Sequence, residues 1–576
     1  MKLTEGFNLL ATATDGIKRL RELILTLAVQ GKLVPQDAND EPASELLKQI
    51  RAEKDRLIAE GKIKKDKIKE VSFDDAPYEL PEKWSWTTIS EIITSIGSGW
   101  SPACLSEPQS TAEQWAVLKT TAVQLMEYQA HQNKLLPSTL VPRPEIETQN
   151  GDILITRAGP RNRVGISCLV QNTPPRLMIS DKIVRFHVLD DLIDAQFIVL
   201  CLNAGWSYQC LDAAKSGMAE SQVNISQGDL RNIPVPLCTK TEQSRIVAKV
   251  EELMALCDAL ETRGKLEAKQ HTRLTATLFD ALAASESAHQ LQENWTRLAQ
   301  SFDLILDRPA AVDAFEQTLL QLAVRGLLVE QDPNDEPASE LLKQIRAEKD
   351  RLIAEGKIKK DKPLPSITDE EKPFNLPQGW EWVRFGDIAS ISSGVTLGRK
   401  TAIPDPILLP YLRVANVQRW KLVLHDVKEL IIDESELERF SLKHGDLLIT
   451  EGGDWDKVGR TCVWEENLPT CLHQNHVFKV RATYSEWNYR WAELYLNSND
   501  ARAYFASSAK QTTNLASINM TQLKNCLFPM PPLAVQSRII ARVEALRALC
   551  TDLRQRLTAS QKSLTHLAET LVEQAA

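Results

Sequence analysis

The sequence predicts an α+β chain: two mixed α/β globular domains joined by long helices that form an antiparallel coiled coil, with an internal pseudo-two-fold repeat. Three observations lead there. Residues 39–67, from Asn39 to Lys67, recur without a change at 334–362, a register of 295 in a chain of 576. A solenoid repeats every 20–50 residues or so, so this spacing means two copies of one large module. After each copy the composition shifts toward Gly, Pro and β-branched residues and the apolar spacing falls toward two, as in strands. Each module then closes on a heptad seam. Ile246, Val250, Leu253, Cys257 and Leu260 form the first, and Ile539, Val543, Leu546, Cys550 and Leu553 the second.

Composition bounds the rest. The apolar fraction is 43%, the charged fraction 25% and the formal net charge −9, so the chain as a whole is no basic nucleic-acid coat. Ten cysteines without a CxxC pair suit a reducing compartment. The opening residues MKLTEGFNLLATATDGIKRL lack a signal-peptide core, and no run of 18 apolar residues occurs, so a cytoplasmic protein is expected.

In chain order, residues 1–77 form an N-terminal helical region. Leu9, Leu10, Ile17, Leu20, Leu23, Ile24, Leu27 and Ala28 recur at helical steps, and Gly31 and Pro35 end the run. The repeated block follows, with Pro42 at a helix start and an apolar stripe of Leu46, Leu47, Ile50, Leu57 and Ile58. Its charged side reads as a solvated face or as a docking surface. The Leu46/Leu57 and Leu341/Leu352 faces are expected to dock like partners.

Residues 78–240 form the first globular domain. It opens on LPEKWSWTTISEI, and GDILIT (151–156) and KIVRFHV (182–188) read as strands. Residues 241–371 are a central helical spacer carrying the second repeat. Residues 372–533 form the second globular domain, where LPQGWEWVRFGDI and GDLLIT (445–450) echo the first. Residues 534–576 are a C-terminal helix. Trp84, Trp86, Trp380 and Trp382 read as core anchors. Between the landmarks the domains diverge: Arg157 to Arg163 (RAGPRNR) stands where the other copy has Glu451 to Lys457 (EGGDWDK).

Two like helices, each following its own globular domain, can pair antiparallel around a pseudo-two-fold axis. A helix of about 40 residues is roughly 60 Å long. Such a rod suits two half-sites on one face of a DNA duplex, spaced at about 34–36 Å per helical turn. Two different domains then require an asymmetric, two-part sequence.

These residues resemble the specificity subunit of type I restriction–modification enzymes. The resemblance rests on LPEKWSW and LPQGWEW, on GDILIT and GDLLIT, and on FPMPPLAVQSRIIARVEAL (528–546), where Pro-Pro-Leu-x-x-Gln-x-x-Ile leads into a heptad helix. The first copy, VPLCTKTEQSRI, lacks the second proline. The resemblance covers almost the whole chain. It implies two target-recognition domains, each reading half of a split double-stranded DNA target, with the helices as spacer. It further implies that this chain is not an enzyme and binds no cofactor itself. Instead it holds two methyltransferase subunits, which modify adenine N6 with S-adenosylmethionine, and two restriction subunits, which use ATP and magnesium. The alternative reading is a structural coiled-coil adaptor without DNA specificity.

The chemistry motifs agree. No GxxxxGK[ST] occurs, and no Asp/Asn-Pro-Pro-aromatic stretch. Cys471-x-His473-x-x-His476 has metal-ligand residue types but no second cysteine pair, and reads as packed side chains. Residues 80–240 hold 13 Lys+Arg against 15 Asp+Glu, so DNA contact must come from local clusters. Arg157, Arg161 and Arg163 lie in an acid-free Gly/Pro loop after a strand, where arginine clamps phosphate or reads guanine, or simply decorates the surface. Lys119 and Thr120 hold a place like Arg413 and Asn416, and Asn pairs with adenine edges. Thr396, Arg399 and Lys400 sit in a glycine loop suited to phosphate or to a plain turn. Asn224 and Asn514 lie in polar loops at matching places before the closing prolines.

Overall fold

The computed structural model describes residues 9–64, 71–285, 287–358, 360, 362–398, 403–453, 457–512 and 515–575. The chain divides into two compact units, Met1–Glu267 with Gln561–Ala576, and Ala268–Ser560.

The first unit begins with helices α1 (Gly16–Val29) and α2 (Ala43–Ala59), and contains the start of the long helix α3 (Lys240–Ala283). Gly31 ends the α1 region in the left-handed conformation at φ 70°; a Cβ there would lie 2.6 Å from the Pro81 ring. The central sheet has four antiparallel strands in the order Ile93–Ser98, Ile183–Val188, Ile153–Thr156, Ser167–Leu169. Ile153, Leu154 and Ile155 of GDILIT are all apolar because this strand is covered on both faces. Ile153 and Ile155 join the main core, and Leu154 a second cluster with Ala116, Leu118 and Cys168. The preceding Gly151 takes φ 92°, and buried Asp152 accepts the Gln149 backbone N–H at 2.7 Å, closing the turn. Ser85–Thr88 pairs antiparallel with Pro234–Leu237, which brings the two ends of the globular domain together. Trp84 is buried and meets Phe197 edge-on at 6.0 Å, and Trp86 meets Trp206 at 4.8 Å.

The second unit repeats this order. Helices α4 (Pro309–Val324) and α5 (Ala338–Ala354) precede a four-stranded sheet, Ala389–Ser393, Val477–Ala482, Leu447–Thr450, Thr461–Val463. Gly445 (φ 84°) and buried Asp446 repeat the turn, with Asp446 accepting Lys443 N–H at 2.7 Å and Arg481 Nε at 2.7 Å. Glu381–Arg384 pairs with Leu527–Met530, and the long helix α6 (Leu533–Ala575) follows. Trp380 stands edge-on to Trp491 at 5.6 Å.

Two expectations change on packing. Leu46, Leu47 and Ile50 of α2 are buried in the first unit's own core, and Leu341, Leu342 and Ile345 of α5 in the second's. Leu46 and Leu341 are therefore not open to a partner; the solvent faces of these helices are the charged ones. The heptad seams also have local company. Ile246, Val250 and Cys257 share a core with Leu20, Ile24 and Ala28 of α1 and with Ala568 near the end of α6. In the second unit Cys550, Leu546 and Leu553 pack with Phe315 and Leu319 of α4, and with Phe279 and Leu282 near the end of α3. Among the described residues no helix is long and apolar enough to cross a membrane.

Candidate nucleic-acid interface

In the first unit the candidate surface gathers around the residue that leaves the central strand. Arg157 is pinned on both sides of its peptide unit: its N–H donates to Lys182 O at 2.9 Å, and its carbonyl accepts Ile225 N–H at 2.9 Å. The next two residues, Ala158–Gly159, pair with Gln222–Asn224, and this ladder carries on to Ser216–Ala219. Arg157 and Asn224 are thus held side by side from positions 67 residues apart. The Arg157 side chain is half-buried, and its Nε is buried without a hydrogen-bond partner among the described residues. Asn224 is exposed, with Oδ1 accepting Ser216 Oγ–H at 3.2 Å.

The other two arginines of the loop are engaged internally. Arg161 donates to Asp212 at 2.9 Å. The Lys215 ammonium at 2.7 Å, followed by Arg161, holds the Asp212 carboxyl below its usual range. Arg163 donates to Gln124 Oε1 at 2.8 Å, Val123 O at 3.0 Å and Thr120 O at 3.2 Å. Its guanidinium therefore ties the Thr120–Gln124 turn to the Arg157 loop. That tie is what brings half-buried Lys119 and Thr120 into the same region. Lys119 makes no side-chain hydrogen bond or ion pair among the described residues.

In the second unit Glu451 takes the place of Arg157. Its N–H donates to His476 O at 3.0 Å and its carbonyl accepts Ile518 N–H at 2.9 Å. Its carboxylate lies 2.6 Å from His476 Nδ1. Arg460 donates to Gln418 at 2.5 Å, repeating the Arg163–Gln124 tie. Arg413 is engaged with Asp426, at 2.7 Å to the carboxylate and 2.9 Å to the carbonyl.

Asn416 is corrected by its surroundings: it is 2% exposed, its Oδ1 accepts Arg413 N–H at 2.9 Å, and its amide donates to Val423 O at 2.8 Å and Asp426 O at 3.1 Å. With its donors and acceptor satisfied inside the loop, it shapes that loop and does not present an edge to a base. Thr396 is exposed beside Val395, which bridges to Gln474. Arg399, Lys400 and Asn514 lie outside the described residues.

The cysteine–histidine trio has separate partners. Cys471 donates to Leu472 O, buried His473 is joined through Nδ1 to Val477 O at 2.7 Å, and His476 meets Glu451. Lys182 was missed in the sequence because it opens a strand and looks like a boundary residue. It is exposed, and its carbonyl holds the Arg157 peptide, so two cations of different strands emerge together.

A family model described as the type I restriction modification DNA specificity domain matches residues 377–560. The chain is 35% identical over 567 residues to the type I restriction enzyme EcoEI specificity subunit of Escherichia coli, covering 97% of this chain and 94% of that protein. It is 36% identical over 585 residues to the EcoAI specificity subunit of the same species, with the same coverages. Among solved structures, the HsdS subunit from Thermoanaerobacter tengcongensis aligns over 87% of this chain and 98% of its own, at 17% identity and a TM-score of 0.43. At that identity and extent of similarity to full-length relatives, the chain belongs to the specificity subunits of type I restriction enzymes.

Proposed function

We propose that this chain is the DNA-recognition subunit of a type I restriction–modification complex and binds a bipartite, asymmetric target. Residues 78–240 and 372–533 are its two target-recognition domains. Residues 1–77, 241–371 and 534–576 supply the helical frame, with α3 and α6 running antiparallel as the spacer. The chain carries no catalysis and no cofactor. It positions two methyltransferase subunits that modify adenine N6 with S-adenosylmethionine, and two restriction subunits that use ATP and magnesium.

One observation carries the reading. Two domains with one strand order place different residues at the same loop, Arg157 against Glu451, each pinned by the same pair of backbone hydrogen bonds. A common frame with unlike surfaces suits two unlike half-sites. Within the first domain, Arg157, Lys119, Thr120 and Asn224 form the DNA-facing set, joined by Lys182. In the second, Thr396 contributes from its exposed loop, with Arg399, Lys400, Arg413 and Asn514 as further contacts. Arg161 and Arg163 hold the loop in shape.

The test is an exchange of residues 78–240 for another recognition domain, followed by mapping of the methylated site in the assembled complex. One half of the target should change and the other stay. A change in both halves, or in neither, rejects the modular reading. A salt-dependent gel shift with the methyltransferase subunit separates this reading from an adaptor without DNA specificity, since phosphate contacts release counterions and weaken as salt rises.

A further inference from the structure

The two units use one apolar seam and opposite charges to seat their short helices. In the first unit Arg21 of α1 pairs with Glu261 of α3 at 3.0 Å and also with Asp258. In the second unit Glu316 of α4 accepts Arg547 Nε at 2.8 Å and Arg554 Nη2 at 2.7 Å, and Asp313 accepts Arg554 Nε at 2.7 Å. The repeat aligns these residues one for one. LTLAV (25–29) matches LQLAV (320–324), which places Lys18 with Asp313 and Arg21 with Glu316. QSRI (243–246) matches QSRI (536–539), which places Glu261 with Arg554, Asp258 with Thr551 and Met254 with Arg547. The short helix is basic and its groove acidic in one unit; both signs are reversed in the other.

The apolar part of the seat does not discriminate. The seam of α3 and the seam of α6 present the same five residue types in the same order. Leu27 and Ala28 of α1 have Leu322 and Ala323 of α4 as counterparts, all buried. On burial alone α1 would fit the groove of α6 and α4 the groove of α3. A duplicated chain therefore carries a competing arrangement of similar apolar content, which positive packing cannot remove.

We infer that the reversed charges are a pairing code that seats each short helix on the long helix of its own unit and rejects the other. With α1 in the α6 groove, Lys18 and Arg21 would face Arg547 and Arg554. With α4 in the α3 groove, Asp313 and Glu316 would face Asp258 and Glu261. Both wrong seats bring like charges together beside an apolar surface, where water screens them less than on an open face. In the correct seats Arg21 and both acids of α4 are paired, while Lys18 stays exposed.

The experiment is hydrogen exchange on the full chain, read at the amides of residues 20–29, with three variants. Lys18→Asp with Arg21→Glu gives α1 the charges of α4. Lys18→Ala with Arg21→Ala removes the charges. The third adds Asp258→Arg and Glu261→Arg to the first. The charge-reversed variant should lose about tenfold in protection, the neutral variant clearly less, and the third should return toward the native value. Equal losses in the reversed and neutral variants, or no recovery in the third, would overturn the code, because the charges would then only add attraction. The apolar residues are untouched throughout, so a general packing defect would show as a failure of the third variant to recover.

Discussion

The two globular domains share several side chains that tie down backbone and differ at several that face outward or fill space. Gly151 and Gly445 make the same left-handed turn, and Asp152 and Asp446 close it. Arg163 and Arg460 reach the same glutamine position. Asn203 donates to Ser167 O and Asn497 to Thr461 O, each at 2.9 Å. Against this stand Arg157 and Glu451 on the surface, Met126 and Trp420 beside the helices, and Ile179 and His473 in the interior. A buried backbone group without a partner costs about as much as a lost hydrogen bond, so the ties persist while the surface is free to vary. The shared frame of the two domains thus rests on side chains that satisfy backbone groups.

Four tests break or sharpen that comparison. The largest effect belongs to Trp491, which is 1% exposed and donates from Nε1 to Pro529 O at 3.0 Å. Trp491→Ala should cost about 3–5 kcal/mol, and Phe197→Ala at the matched place, which has no such hydrogen bond to lose, should fall at the lower end. Denaturant unfolding followed by exchange in each unit ranks the two; the reverse order would contradict the matched cores.

Next is His473, where burial pulls the imidazole pKa down to about 3 from 6.5. The unfolded chain takes a proton below about 6.5 and the folded one does not, so stability is fully present above that pH and falls on acidification toward about 3. His473→Ile, which supplies the residue type of Ile179, should remove on the order of 1–3 kcal/mol of that acid loss. A pH series of unfolding midpoints reads it, and an unchanged acid slope would show that His473 is not its source.

Lys479 acts at the other end of the scale. Burial first, then Arg481, pulls its amine down to about 8 from 10.5. Its ammonium donates to Arg439 O at 2.7 Å and Ser441 O at 3.1 Å, while Arg185 in the first domain reaches Glu145 O at 3.0 Å from the matched strand position. Between about pH 8 and 10.5 the unfolded chain holds the proton that the fold has released, so stability rises with pH. Lys479→Arg, which does not titrate there, should abolish that rise, on the order of 1–2 kcal/mol, in thermal midpoints measured from pH 7.5 to 10.5.

The smallest effect is space-filling. A groove of about 830 Å³ in the first unit is lined by Leu25, Met126, Tyr128, Val250 and Met254. In the second unit Trp420 holds the matching place with the Arg547 guanidinium 4.3 Å from its ring. Met126→Trp should stabilise the first unit by up to about 1 kcal/mol, through apolar burial. Destabilisation would mean that the groove differs in shape from its counterpart.

Much of the frame was legible from the chain alone, residue by residue. The helices showed as four-and-three apolar steps, the central strands as GDILIT and GDLLIT, and the anchors as paired tryptophans. The candidate site was legible only in outline. Arg157, Arg161 and Arg163 look alike in sequence, yet one leaves its Nε unpartnered, one pairs with Asp212, and one ties down a turn. Asn416 looked like a base reader and proved to be sealed inside its own loop.

What the sequence determined by itself is the duplication, the periodicities and the local turns, because those depend on residues a few positions apart. Only the tertiary structure decided which charges are engaged and which apolar stripes are covered. Arg163 finds its partner 39 residues away, Arg21 finds Glu261 240 residues away, and Leu46 meets a core built from the rest of its unit. A side chain's role depends on the groups the folded backbone brings within about 3 Å of it, and no local pattern encodes that distance.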